Sequence, residues 1–218
     1  MTAIGSTFAQ AARAGLPLDV LAGLTMLALV PFLLVMTTSF VRIVVVLSLV
    51  RSAIGAASLP PNAVLTGLAL LLTFAVMAPT AERVRASAIE PYARGRLTQP
   101  QMMARAFGPL REFMRRQTHR RDLELFARVS HVPEEAADRD PLVLAPAFVV
   151  GELRSGFAIG FALYLPFVAI DLAVASILMG LGMFMLSPPI VSLPCKLLLF
   201  IMVDGWSLVC GGVVATFR

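Results

Sequence analysis

The sequence contains few charged side chains for its length. Asp, Glu, Lys and Arg make up 14% of its 218 residues, whereas about 25% is usual for a soluble domain. Hydrophobic residues account for 58% of the chain, and the mean hydropathy is +0.86. This balance excludes an ordinary soluble domain and indicates a polytopic membrane protein.

Cysteine and histidine are also scarce, with two of each. Cys195 and Cys210 are 15 residues apart in one apolar run, and roughly 22 Å of helix between them is too far for a disulfide. His119 and His131 have no metal-ligand spacing around them. The stretch "GLGMFM" at 180–185 lacks the third glycine of a dinucleotide-binding motif. We therefore expect no metal, no cofactor and no enzymatic activity.

Four apolar segments organise the chain, at 18–50, 62–77, 142–186 and 190–217. A membrane span needs about 20 apolar residues, so the first segment is long enough and the second, which closes at Ala78-Pro79, is marginal. The third segment is long enough for one very long helix or two broken ones, and Pro146 and Pro166 favour breaks. We predict an all-α integral membrane protein with a first helical hairpin in residues 1–79, a mostly helical soluble insertion in 80–141 and a second hairpin in 142–218.

The insertion has mixed charge and amphipathic helices. It contains 12 of the 18 basic and 9 of the 13 acidic residues; no one-sided basic patch is evident, so nucleic acid is not an expected partner. Thr98 and Gln101 have capping-box spacing, which predicts a helix start. Gly108-Pro109 is a candidate kink. The predicted apolar faces are formed by Met103, Phe107, Leu110 and Met114, and by Leu125 and Val129.

Six charged residues interrupt the apolar segments: Arg42, Glu152, Arg154, Asp171, Lys196 and Asp204. At the centre of a bilayer each charge costs about 2.5–3.5 kcal/mol. Glu152 and Arg154 point to nearly opposite faces of a helix, and Lys196 and Asp204 are about 12 Å apart along one. Their partners must therefore come from other helices or other subunits.

Lys196 is the only lysine, against 17 arginines. Two interpretations remain open from the residues alone: a specific role between helices or subunits, or a side chain that snorkels to the membrane interface. Gly156 and Gly160 have the spacing of a helix-packing motif.

Several long stretches resemble the FliP/SctR family of bacterial export-apparatus proteins. They are "MTTSFVRIVVVLSLVRSAIG" at 36–55, "LPPNAVLTGLALLLTFAVMAP" at 59–79, "PLREFMRRQTHRRDLELFAR" at 109–128, and residues 152–209, which begin "ELRSGFAIGFALYLPF". The resemblance covers nearly all of residues 20–217. Proteins of this family serve the bacterial flagellum and the related type III secretion injectisomes.

The resemblance implies a multi-pass protein of the bacterial inner membrane that acts in protein secretion. It implies a homo-pentamer, joined by FliQ-like and FliR-like membrane subunits, which forms the entry gate for unfolded export substrate proteins. Glu152 is expected to make inter-subunit contacts, and Asp171, Lys196 and Asp204 to be buried between helices. The insertion is expected in the periplasm, although its arginines alone indicate the cytoplasm.

The resemblance also gives the apolar loop between the last two segments a role. Met183, Phe184 and Met185 match the methionine-rich loop that lines the constriction in this family and acts as a gasket around the secreted chain. Flexible thioether side chains suit that role, because they repack around varied sequences.

Alternatives remain at this level. The absence of an evident signal peptide favours an injectisome member, whereas "REFMRRQT" and "MFMLSPPIVSLP" favour the flagellar branch, which we prefer. A small-molecule or ion transporter would use Asp171, Lys196 and Asp204 as a midplane site, but no internal repeat supports it. A Ser192–Lys196 dyad for hydrolysis is opposed by Pro194 and by the lack of an oxyanion donor.

Overall fold

The structure is a computed structural model that describes residues 24, 28, 32, 33, 35–55 and 59–217. The chain divides into two compact units, Met1–Val35 and Met36–Arg218. Part of the first predicted apolar segment, together with the question of a signal peptide, falls outside the described residues.

The described residues are helical and contain no strand, as predicted. In chain order the elements are α1 (Phe40–Ile54), α2 (Asn62–Val84), a π-helical turn (Arg85–Ile89), α3 (Glu90–Ala93), α4 (Gln99–Gln117), α5 (Arg120–Val129), a 3₁₀ turn (Glu134–Ala136), α6 (Pro141–Gly180), α7 (Pro188–Met202) and α8 (Gly205–Ala215).

Two helices are long and apolar enough to cross a membrane, Asn62–Ala93 with 32 residues and Pro141–Gly180 with 40. A third candidate span is the pair α7 and α8, which is bent by 64°. Of the first predicted segment the structure describes residues 24, 28, 32, 33 and 35–50. Its helix α1 has 15 residues, fewer than the about 20 that a span needs. The described residues therefore contain two or three candidate spans, and the first of the four predicted segments is described in part.

The breaks expected at proline do not occur. Pro146 and Pro166 both lie inside the continuous 40-residue α6, which is roughly 60 Å long. Pro79 likewise lies inside α2, so the second segment does not close there, and Pro109 lies inside α4. Each proline removes one backbone hydrogen bond, and the surrounding helical bonds are sufficient to continue the helix.

Helix α1 forms the centre of the chain. Ile43, Val46, Leu47 and Val50 recur at helical spacing and are buried. The α1 backbone approaches α6 at the predicted packing motif, where a Cβ on Gly156 would lie 3.1 Å from Cγ1 of Val45. The buried face of α1 is therefore covered by the other described helices.

Helix α4 of the insertion begins as predicted. The backbone N–H of Thr98 donates to Oε1 of Gln101 at 3.0 Å, which closes the capping box of α4. Met114 on the predicted α4 face is buried, together with Phe113, which the pattern missed. Both pack on Phe148 of α6.

The apolar face predicted for α5 is wrong. Leu125 and Val129 are 45% and 65% exposed. The buried side of this helix instead carries Asp122 and Ala127. Because the carboxylate of Asp122 binds Arg154 on α6, this ion pair sets the rotation of α5 about its axis.

The last apolar segment is two helices and not one. Asp204, at φ 49°, adopts the left-handed conformation between α7 and α8. The bend brings the Gly205 backbone against Phe200, whose ring would be 2.3 Å from a Cβ at position 205. Only glycine fits this close approach.

Candidate functional site: the exposed methionine loop and the buried charges

The turn between α6 and α7 exposes the most apolar loop of the described residues. Met183, Phe184 and Met185 are 42%, 80% and 101% exposed. Water is an unfavourable environment for such side chains, and exposed apolar patches mark interaction sites. This loop is therefore a candidate contact surface.

The backbone holds this loop at both ends. The N–H of Met183 donates to the carbonyl of Leu178 at 2.9 Å, and that of Gly182 to the carbonyl of Met179 at 3.0 Å. With Gly182 at φ +73°, this is the Schellman ending of a helix. On the other side, α7 begins at Pro188, a residue that favours the first helical turn. The loop is short and anchored, so the three side chains project from a fixed base.

Lys196 lies between three helices. Its Nζ donates to Oδ2 of Asp171 on α6 at 2.6 Å and to the carbonyl of Ala53 in the last turn of α1 at 3.2 Å. The hydroxyl of Ser192 donates to the other oxygen of Asp171, also at 2.6 Å. The carbonyls at a helix C-terminus attract a cation, so Lys196 joins α7 to α6 and to the end of α1.

This geometry also bears on the Ser192–Lys196 dyad. A lysine base must accept the serine proton, but the Ser192 hydroxyl points to the Asp171 carboxylate and Lys196 donates to the same group. The two side chains share an acceptor and are not bonded to each other.

Arg42 on α1 meets Glu152 on α6 inside the chain. Nη2 of Arg42 lies 2.5 Å from Oε1 of Glu152. The same guanidinium donates to Oε1 of Gln117 at 3.2 Å and to Oγ1 of Thr216 at 3.1 Å, and its centre lies 4.0 Å from the ring centroid of Phe217. One buried cation thus connects α1, α4, α6 and the end of α8.

Arg154 pairs with the insertion. Its two terminal nitrogens donate to the two carboxylate oxygens of Asp122, each at 2.7 Å. Asp122 is buried and Arg154 is half exposed. Bidentate pairs of this kind fix orientation as well as distance, so α5 is held in one register on α6.

Five of the six charges of the apolar segments form ion pairs, and each pair joins two different helices. Asp204 is the exception: its side chain is exposed at the bend and forms no ion pair within the described residues. The burial expected for Asp204 is not provided by this chain alone. The inter-subunit contact expected for Glu152 stays a prediction, since its observed partner lies in the same chain.

Comparison with known proteins identifies the family of this chain. A sequence model described as the FliP family matches residues 23–213. The chain belongs to the FliP family. It is 50% identical over 197 residues to the flagellar biosynthetic protein FliP of Caulobacter vibrioides, with 89% of this chain and 74% of the relative covered.

Other FliP-family relatives match over similar lengths. The flagellar biosynthetic protein FliP of Pectobacterium carotovorum is 48% identical, with 89% of this chain and 76% of the relative covered. That of Bacillus subtilis is 42% identical, with 89% of each chain covered. The family resemblance in the sequence is thereby confirmed.

Sequence reasoning missed the partners of these charges. Asp122 and Gln117 lie in a polar segment, where an acidic or amide side chain is normally solvated. Ser192 and Thr216 are small hydroxyl residues in apolar helices and have no distinctive spacing. The one available signal was the need of each misplaced charge for a partner, which predicts that partners exist but not which they are.

Proposed function

We propose that this FliP-family chain is a subunit of the export gate of the bacterial flagellum, located in the inner membrane. In this proposal five copies, joined by FliQ-like and FliR-like subunits, form the conduit through which unfolded proteins leave the cytoplasm. Family membership supports an export-apparatus role, and the relatives' names favour the flagellar system over the injectisome.

The observation that carries the proposal is the loop of Met183, Phe184 and Met185. These side chains are exposed at the tip of two long apolar helices. If five such tips converge, their apolar side chains exclude water and ions from the centre. Unbranched methionine side chains change rotamers easily and repack around whatever passes, which suits a passive gasket.

The paired charges of α6 and α7 favour a conduit over a small-molecule or ion transporter. Asp171 already accepts hydrogen bonds from Lys196 and Ser192, and Lys196 also reaches the Ala53 carbonyl. A transport site needs groups that exchange a ligand for their resting partners. Here the groups hold three helices of one chain together, a structural task.

Native mass spectrometry of the detergent-purified chain tests this proposal. We expect a pentamer, and larger complexes when the FliQ-like and FliR-like proteins are co-expressed. A chain that stays monomeric or dimeric and recruits neither partner would overturn the proposal, and uptake of ions or small solutes would then be measured.

A further inference from the structure

A polar pocket of about 300 Å³ lies where the insertion meets the membrane helices. It is lined by Arg42 of α1, Arg116 and Gln117 of α4, His119, Ser155 of α6 and Thr216 after α8. No carboxylate of the described residues lines it. The pocket therefore offers hydrogen-bond donors at a site where nothing negative competes.

Gln117, Arg116 and Ser155 are among the lining side chains with donors that no described residue uses. Gln117 accepts from Arg42 through its carbonyl, which leaves its amide N–H groups. Arg116 uses Nε on Glu112, which leaves both terminal nitrogens. The Ser155 hydroxyl makes no hydrogen bond within the described part of the chain. Converging donors of this kind bind an oxyanion.

The neighbouring carboxylates do not oppose an anion in this pocket. Glu112 is held by Arg115 and Arg116, Asp122 by Arg154, and Glu152 by Arg42. The residues of this list comprise four arginines and three carboxylates, so the local balance is positive.

An apolar pocket of about 260 Å³ lies farther along the same helices. Its lining includes Val50 of α1, Leu163 and Phe167 of α6, Phe200 of α7 and Leu208 of α8. Val50 is buried and forms the floor, whereas Leu208 is exposed at the rim.

The two pockets are in register on three helices. Arg42 and Val50 are eight residues apart on α1, Ser155 and Leu163 are eight apart on α6, and Leu208 and Thr216 are eight apart along α8. Eight residues of helix span about 12 Å. The same three helices therefore line both pockets, which lie about 12 Å apart along them; we call the two pockets together the groove between α6 and α8.

We propose that this groove binds an anionic phospholipid, with the phosphate in the polar pocket and an acyl chain in the apolar pocket. Basic pockets between membrane helices bind lipid headgroups, and the apolar end accounts for a ligand with a hydrocarbon tail. The phosphate oxygens accept from Arg116, Gln117 and Ser155, while Arg42 remains on Glu152. This lipid site does not depend on the export function proposed above.

The test is native mass spectrometry of the purified full chain after delipidation, with three probes added separately. They are phosphatidylglycerol, diacylglycerol with the same acyl chains, and inorganic phosphate. We expect phosphatidylglycerol to bind at least about tenfold more tightly than either other probe, because each lacks one half of the ligand.

Paired variants locate the site. Arg116→Gln is expected to weaken the binding of phosphatidylglycerol about tenfold. The matched control is Arg115→Gln, which removes an arginine that also binds Glu112 but does not line the pocket, so it should leave lipid binding unchanged. Leu208→Trp, which fills the apolar pocket, is expected to weaken lipid binding without changing the yield of folded protein.

The contrary results are distinct. If diacylglycerol binds as tightly as phosphatidylglycerol, the polar pocket does not bind the phosphate and the proposal is wrong. If inorganic phosphate binds as tightly as phosphatidylglycerol, the ligand is free phosphate and not a lipid. Equal effects of the Arg115 and Arg116 variants would place the lipid elsewhere. A last result would also overturn the proposal. If no lipid binds the isolated chain, and none binds when a FliQ-like or FliR-like subunit is present, the groove is occupied by a protein helix and not by a lipid.

Discussion

Nη2 of Arg42 lies 2.5 Å from Oε1 of Glu152, and the two side chains are 5% and 0% exposed. Removing one member of such a pair leaves a buried, uncompensated charge, which destabilises by about 3–5 kcal/mol. We therefore expect Arg42→Leu to lower the thermal midpoint of the detergent-purified chain strongly. The double variant Arg42→Leu/Glu152→Leu is expected to recover much of the loss. Equal midpoints for the single and double variants would contradict a direct coupling.

The same variants test the inter-subunit role expected for Glu152. If the double variant melts normally but fails to form oligomers by native mass spectrometry, the carboxylate also acts between subunits. If the double variant has a normal unfolding midpoint and also assembles normally, Glu152 acts only through its contact with Arg42. Charge reversal in Glu152→Lys is expected to prevent oligomers, because it places two cations together in the interior.

Gly160 is a position where one methyl group matters. A Cβ there would lie 2.3 Å from Cδ1 and 2.9 Å from Cβ of Leu49. Gly160→Ala is expected to destabilise the chain by about 1–3 kcal/mol, measured as a lower unfolding midpoint. Gly67→Ala is the control, since a Cβ at 67 has nothing within 4 Å. A Gly160→Ala chain as stable as the Gly67→Ala chain would mean that α1 and α6 are not closely packed.

The methionine loop gives a functional prediction. Met183→Ala/Met185→Ala is expected to leave assembly unchanged and to let small ions pass, because alanine would fill less of the proposed constriction. The measurement is conductance of the reconstituted complex. Met202→Ala, an exposed methionine of α7 outside the loop, is the matched control. A closed, ion-tight double variant would remove the gasket role.

Lys196 is expected to resist conservative replacement. Its Nζ fits between Asp171 at 2.6 Å and the Ala53 carbonyl at 3.2 Å, and a planar guanidinium is larger and has a different donor geometry. Lys196→Arg is therefore expected to lower both the unfolding midpoint and the yield of oligomer. Arg51→Lys, in the last turn of α1, is the control for a change between basic residues. Normal assembly of Lys196→Arg would show that only the charge is required.

The insertion has a pH-dependent element in Glu112. Hydrogen bonds from Arg115 and Arg116 lower the pKa of its carboxyl to about 2, against about 4.3 in an unfolded chain. Its contribution to stability is therefore full above about pH 4.3 and is lost as pH falls toward about 2. We expect Glu112→Gln to flatten the acid side of a plot of unfolding midpoint against pH. Glu134→Gln, which removes a carboxylate that forms no ion pair among the described residues, is expected to leave the slope unchanged.

The helices themselves were predictable, because long apolar runs and the capping box at Thr98 report local chemistry. Proline misled at positions 146 and 166, where a single missing hydrogen bond is outweighed by the rest of a long helix. Near Asp204 the sequence contains no sign of a break, yet the continuous apolar run contains a 64° bend. Composition cannot show such a bend, since it depends on the packing of Gly205 against Phe200.

The charged sites were only half predictable. A charged residue in an apolar segment is easy to recognise in the sequence. The prediction that Glu152 and Arg154 do not pair with each other agrees with their observed partners, Arg42 and Asp122. The identity of Asp122 as a partner depends on how α5 rotates against α6, a tertiary property. The exposed Leu125 shows the same limit: its spacing predicted burial, and the ion pair of Asp122 turned it outward.

The unbroken α6 gives the molecule a lever. Its contact with the insertion at Arg154 and its end at Gly180 are 26 residues apart, roughly 39 Å of rigid rod, so a tilt of about 5° moves the far tip by about 3 Å. In the proposed gate, a small tilt of α6 at the insertion would therefore displace the methionines at the far end of the helix by a distance that the length of the helix sets.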